Sequence, residues 1–234
     1  MIMLGISTSS KYASAAVMKP CLKQDKVVSL YSENGQRTGR SHSQILMELI
    51  DKALRNAETD KEELEAIAVD VGPGSFTGVR IGVSCANAMA YALGIPVIPV
   101  CSLTALCLGN EIYVKEIDDP DLLMTFGQDA NVKAVNAALI DCRNGNCYAA
   151  AYDDEFREII SPCAAVTSEI LEKLPVGRTL FAGDVVGKDR SEYAYPNAGQ
   201  VLIAAQRLRT EPVKQAVPTY LRPSQAERMK TIRD

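Results

Sequence analysis

A nearly all-apolar stretch, Ala66 to Val71, runs straight into Gly72-Pro73-Gly74-Ser75-Phe76-Thr77-Gly78, and that loop opens a long uncharged segment. No other feature constrains the fold so tightly. A strand apolar on both faces belongs in the middle of a sheet covered on both sides. A glycine loop between such a strand and a helix can turn backbone N–H groups toward an anion. The run is not a Walker loop, because no lysine follows its last glycine, and its spacing is one residue too long for G-x-G-x-x-G. Gly72 and Gly74 allow φ > 0 or close backbone approach. Ser75 and Thr77 are candidate caps for the next helix. Arg80 is a cation in a first helical turn and opposes the helix dipole. It calls for a carboxylate, with Asp70 the nearest candidate, or a bound anion. Two readings follow: a structural turn with a paired arginine, or a phosphate-facing loop.

The helix after the loop, Gly78 to Leu93, carries no charge from Ile81 onward and ends at Gly94 and Pro96. Gly82, Ser84, Ala86, Ala88, Ala90 and Ala92 keep it slim. A helix apolar all round is buried all round, and monomers rarely expose large apolar patches. The expected second cover is another subunit; the alternative is another part of the same chain.

The rest of the chain supports an α/β reading. Met1 to Val17 forms two strands around Thr8-Ser9-Ser10-Lys11, and a third lies near Val27 to Ser32. Ile45, Leu46, Leu49, Ile50, Ala53, Leu54 and Ala57 form one helical stripe over Ser43 to Ala57. Pro96 to Val100 is a strand, and Ser102 caps a short helix. Residues 109 to 133 form a polar, acidic connection near a domain boundary. Ala134 to Asp141 and Cys147 to Tyr152 form a hairpin around Arg143-Asn144-Gly145-Asn146. Thr179 to Ala182 is a short strand, Ala198 to Leu208 a helix, and the proline-bearing end is extended. Both halves open with a hairpin of the same layout, which a duplicated three-layer unit would explain.

The 234 residues carry a formal net charge of -4. That balance argues against an independent grip on nucleic acid. No apolar run is long enough to span a membrane, and the N-terminus lacks the features of a signal peptide. The seven cysteines are scattered, without a C-x-x-C pair, and read as reduced thiols in a cytoplasmic protein. The one histidine, His42, offers no metal-ligand pair and no catalytic triad. Asp141, at a strand end, is a candidate for Mg²⁺ or water, or a turn hydrogen bond.

Gly72 to Gly82 resembles the signature of the TsaB (YeaZ) family of tRNA threonylcarbamoyladenosine biosynthesis. The resemblance extends to Ser41-His42-Ser43-Gln44, Gly94-Ile95-Pro96-Val97 with Ser102-Leu103, Asp141-Cys142-Arg143 with Tyr148-Ala149-Ala150, and Pro218-Thr219-Tyr220-Leu221-Arg222. It implies an actin-like ATPase fold (ASKHA, RNase H-like) of two related three-layer α/β domains, the second reduced. Residues 1–103 would form the first and 104–234 the second, with the tail from about 211 packing back on the first.

The resemblance also implies a non-catalytic subunit that pairs with the paralogue TsaD, supports the ATPase TsaE, forms a homodimer alone and meets tRNA only through the complex. The contact would use Gln44, Met47, Glu48 and Asp51 of the first helix and Gly82, Ala86, Met89, Ala90 and Leu93 of the second. No cofactor is required. Gly72, Pro73, Gly74, Ser75, Phe76, Thr77, Gly78, Arg80 and Asp141 are the nucleotide-facing candidates, compatible with weak ATP or ADP binding. The family usually has Asp-Thr-Ser after the first strand where this chain has Ser7-Thr8-Ser9, which counts against ATP hydrolysis. The competing readings are a small kinase or ATPase, or a peptidase, of the same superfamily, and an independent tRNA binder.

Overall fold

The computed structural model describes residues 1–20, 26–34, 39–116, 135–175, 179–185 and 195–222. Its elements, in chain order, are β1 (Met3–Ser7), β2 (Tyr12–Lys19), β3 (Lys26–Asn34), α1 (His42–Asn56), β4 (Ala66–Asp70), α2 (Phe76–Leu93), β5 (Val97–Val100) and α3 (Ser102–Glu116). Then follow β6 (Val135–Asp141), β7 (Asn146–Tyr152), β8 (Glu158–Val166), α4 (Thr167–Lys173), β9 (Thr179–Gly183) and α5 (Ala198–Arg207).

The strands form two sheets, β3-β2-β1-β4-β5 and β8-β7-β6-β9. In the first, β1 is antiparallel to β2 and parallel to β4, with Leu4 opposite Val17 and Ile67. In the second, β6 is antiparallel to β7 and parallel to β9, with Leu139 opposite Ala149 and Gly183. The same connectivity twice accounts for the repeated hairpin in the sequence.

Each face of the first sheet needs cover because its strands are apolar on both sides. Leu4, Ile6, Ala15, Val17, Ile67 and Val69 pack under Ile45, Leu49 and Ile50 of α1 and Val79, Val83, Ala86 and Ala90 of α2. The opposite face, with Met3, Ala16, Met18, Ala66 and Ala68, lies under Val201, Leu202 and Ala205 of α5 and Ala105 and Leu108 of α3. α5 comes late in the chain, yet it covers the first sheet, because that apolar face has to be buried. α3 in turn sets Leu103, Leu106 and Cys107 against Ala138, Ala150 and Tyr152 of the second sheet. It is a helix of fifteen residues rather than a short one, and it joins the two sheets. Of the expected acidic connection, residues 117–133 lie outside the described residues.

The segment after α5 returns to the first sheet. Val213 and Val97 exchange two backbone hydrogen bonds of 2.9 and 2.7 Å, and Thr219 N–H donates to Val71 O at 2.7 Å. Between them, Asn87 of α2 donates to Ala216 O and accepts from Ala216 N–H, both at 2.9 Å. The segment thus runs beside α2 from its end to its start as a strap.

Local chemistry sets the element ends. Ser75 caps α2 by accepting from Gly78 N–H at 3.2 Å. Gly94 ends it at φ 68°. Gln44 closes the start of α1 on Ser41 N–H at 2.7 Å. At the β6–β7 turn, Arg143, Asn144 and Gly145 all take positive φ, the region that Asn and Gly tolerate best. Gly183 shows the tightest constraint. Its φ is +105°, and an added Cβ would sit 1.9 Å from Leu139 O on the paired strand. Gly183→Ala should cost about 3 kcal/mol or more, from strain plus a broken β6–β9 register. Urea denaturation of the purified variant measures that loss; an unchanged midpoint would remove Gly183 as a constraint.

Candidate functional site

The glycine loop lies at the C-terminal ends of β1 and β4, where Asp70 is the organising residue. Its side chain is fully buried. Ser7 and Ser9 hydroxyls donate to Oδ2 at 2.7 and 2.5 Å. The Ser102 hydroxyl and the Gly72 N–H donate to Oδ1 at 2.5 and 2.9 Å. Burial pushes the carboxyl up from its ordinary range, while hydrogen bonds from Ser102, Ser9, Gly72 and Ser7 pull against that shift. Four donors on one carboxylate tie together the β1–β2 turn, the glycine loop and the start of α3. Ser7 stands where the resembled family usually has aspartate, and here the carboxylate reaches that place from the neighbouring strand. Asp70→Asn should cost about 2–4 kcal/mol, since an amide keeps one acceptor oxygen and sets N–H groups against hydroxyl donors. Thermal denaturation checks this; a stability equal to wild type would mean the four contacts carry no weight.

The loop glycines are explained by close approach to the β1–β2 turn. A Cβ on Gly74 would meet Ser9 O at 2.3 Å, one on Gly78 would meet Thr8 O at 2.0 Å, and one on Gly82 would meet the Thr8 hydroxyl at 2.4 Å. Three amides of the loop have partners inside the chain: Gly72 N–H on Asp70, Ser75 N–H on Ser9 O at 2.6 Å, and Gly78 N–H on Ser75. Ser75, Phe76 and Thr77 are the exposed part of the run, while Pro73 is buried.

Arg80 does not pair with Asp70, which is sealed among hydroxyls. Its guanidinium carbon lies 3.9 Å from the Phe76 ring centroid and its Nε donates to the Tyr220 hydroxyl at 2.8 Å. Phe76 and Tyr220 stack at 4.8 Å. Ring electrons and a phenol oxygen take the role expected of a carboxylate.

Asp141 ends β6 on the other sheet. Its Oδ1 accepts from Arg143 N–H at 2.8 Å, and its own N–H donates to Asp184 at 2.7 Å. The strap reaches this loop as well, through Arg222, which donates to Cys142 O at 3.2 Å. The glycine loop and Asp141 therefore sit at corresponding strand ends of the two sheets, linked by residues 219–222. Among the described residues, no group of three or more His, Cys, Asp or Glu side chains is placed to hold a metal. His42 lies at the start of α1, its Nε2 3.4 Å from Lys11 O.

The α1–α2 face divides the expected contact residues. Gln44, Met47, Glu48 and Asp51 are exposed, Met89 and Leu93 half-buried. Gly82, Ala86 and Ala90 are not on this surface. They face the sheet, with Ala86 0% and Ala90 1% exposed, because a slim helix presses its smallest residues against the strands. Nor is α2 buried all round: Tyr91 is 91% exposed, and Ser84, Ala88 and Ala92 are exposed too. The seam between the helices is lined by sulfur, with Cys85 Sγ 3.8 Å from Met47 Sδ and 4.0 Å from Met89 Sδ. Met47 is 56% exposed.

Sequence reasoning did not anticipate the Ser7–Ser9–Ser102 shell of Asp70 or the Phe76–Arg80–Tyr220 stack. The signal available for the first was a lone carboxylate in an otherwise apolar strand. For the second, Phe76 and Arg80 stand four residues apart on α2, but Tyr220 lies 140 residues from Arg80 and nothing local marks it.

A two-sheet α/β protein with duplicated connectivity and a helix-covered central strand has the actin-like architecture. The family model of TsaD, tRNA N6-adenosine threonylcarbamoyltransferase, matches residues 33–174, more than half of the chain. The chain belongs to that family. TsaB of Haemophilus influenzae is 35% identical over 104 residues, 44% of this chain and 41% of that protein. A tRNA N6-adenosine threonylcarbamoyltransferase of Chlorobium phaeobacteroides is 36% identical over 107 residues, 43% of this chain and 30% of that protein. The alignments thus span less than half the length of these relatives. An uncharacterized protein with similarity to peptidase YEAZ, from Pseudomonas aeruginosa, shares the fold with a TM-score of 0.67 at 23% identity, covering 94% of this chain and 99% of that one. YeaZ from the same organism gives 0.63 at 22%. These likenesses agree with the TsaB (YeaZ) resemblance of the motifs. No helix among the described residues is long and apolar enough to cross a membrane.

Proposed function

We propose that this chain is a non-catalytic, cytoplasmic subunit that supports threonylcarbamoyl transfer to a tRNA adenosine by a TsaD-type partner, together with the ATPase TsaE. The observation that carries this reading is the exposed Met47–Cys85–Met89 seam between α1 and α2, rimmed by Gln44, Glu48 and Asp51. Methionine-lined seams with a polar rim suit helix packing between subunits. The partner contributes two helices to this seam, and without it a second copy of the chain takes the place. The contact should bury about 1,200–2,000 Å² in total.

The glycine loop then acts as a latch between the β1–β2 turn and α2. Its internally bonded amides support a structural role over a phosphate cradle, and any nucleotide contact falls to Ser75, Phe76 and Thr77 with Asp141 at the end of β6. Size-exclusion chromatography of the chain mixed with its cognate TsaD tests the pairing. A co-eluting complex at micromolar concentration is expected; independent elution would refute it.

A further inference from the structure

α2 presents a second surface, away from the α1 seam. Arg80, Ser84, Asn87 and Tyr91 recur at i, i+4, i+7 and i+11 and so share one stripe. The strap runs along this stripe, held at Asn87 and Arg80. What the pair leaves in solvent includes three aromatic rings and two cations, set among Ser84, Ala88, Gln215, Val217 and Thr219. Tyr91 is 91% exposed, Val217 74%, Tyr220 44% and Phe76 37%; Arg80 and Lys214 are exposed as well. No carboxylate occurs between Val71 and Asn110 or between Pro212 and Arg222. In a chain of net charge -4, such a carboxylate-free strip is a local departure.

Exposed tyrosine and phenylalanine rings flanked by arginine and lysine match the chemistry of single-stranded nucleic acid. Bases stack on ring faces, arginine adds a cation–π surface, and the cations meet phosphates.

We propose that the α2–strap strip contacts an unpaired RNA loop within the assembly, with Tyr91 as the stacking platform and Arg80 and Lys214 facing phosphates. This rests on the proposed role in tRNA modification. It adds a direct RNA contact by this chain, on a surface separate from the one that binds the partner subunit.

The test is fluorescence anisotropy with a labelled 17-nucleotide anticodon stem–loop RNA, titrated with the full chain alone and with its complex with the cognate transferase. Tyr91→Ala should weaken RNA binding by about 5-fold or more, the size expected for loss of one stacked base. Tyr91→Phe should restore it. Lys214→Gln should lower the slope of log affinity against log salt by about 1. Tyr91 is almost wholly exposed, so the variant should fold, and its melting curve verifies this. Size-exclusion of each variant with the partner is run in parallel, so failed pairing is read apart from failed RNA contact. Unchanged RNA affinity in Tyr91→Ala and Lys214→Gln, in chain and complex alike, would overturn the proposal. Loss of the partner protein with RNA affinity intact would also overturn it and assign the strip to a protein.

Discussion

Ala86→Arg should leave little folded protein to assay. Ala86 lies in the layer between α2 and the first sheet, together with Ile6, Val69 and Val83, and exposes none of its surface. A guanidinium there overpacks the layer and buries a charge among apolar side chains. Overpacking costs about 1–3 kcal/mol, and an unpaired buried charge costs roughly 3–5 kcal/mol more. Their sum, about 4–8 kcal/mol, removes most of the stability of a domain in the lower half of the usual range of about 5–15 kcal/mol. Ala90→Glu should behave alike, since Ala90 is 1% exposed. Far-UV circular dichroism and soluble yield measure the effect. A soluble Ala86→Arg protein with a native melting curve would show that α2 does not press this face on the sheet.

Met89→Asp should do the opposite: keep the fold and weaken pairing. Met89 is half-buried at the seam, packed on the edge of the core with its sulfur 4.0 Å from Cys85 Sγ. A carboxylate at this half-buried position can still reach water in the isolated chain, so the stability loss should stay near 1 kcal/mol, the centre of the range for point substitutions. In a closed interface the same carboxylate would be stripped of water without a cation to meet it. A central anchor lost in this way costs about 2 kcal/mol or more, roughly 30-fold in affinity. Isothermal titration against the cognate partner measures it. Tyr91→Ala, on the other side of the helix, should pair as wild type. If Met89→Asp pairs with undiminished affinity, the seam is not the contact.

These two substitutions sit on one helix and three residues apart, and the sequence alone could not separate them. α2 is built from alanine, glycine, serine and cysteine, so hydrophobic contrast around it is too weak to mark which side meets the sheet. α1, with leucine and isoleucine set against charges, was legible for the opposite reason. Its stripe of Ile45, Leu46, Leu49, Ile50 and Ala53 is the buried face. The two hairpins were legible because alternation and turn residues are local. β8 was not, because Pro162 interrupts its run, and proline is tolerated there only because β8 is an edge strand. The placement of α5 on the first sheet was hidden because it depends on contacts nearly the whole chain apart, such as Gly5 with Leu202.

At the candidate site, Gly72, Gly74 and Gly78 were readable as places of close approach, but what approaches them was not. The serine shell of Asp70 and the aromatic partners of Arg80 come from three separate regions, joined only by the topology. The Asp-to-Ser change at the end of β1 was visible as a departure. That Asp70 brings a carboxylate back to Ser7 from the next strand is a property of the β1–β4 register.

The most direct measurement is a reconstituted threonylcarbamoylation of tRNA by the cognate TsaD and TsaE, with and without this chain. The account predicts no modification without it, full modification with the wild-type chain, and reduced modification with folded Met89→Asp that a higher concentration of the variant restores. Full modification in its absence, or threonylcarbamoyl transfer by this chain alone, would contradict it.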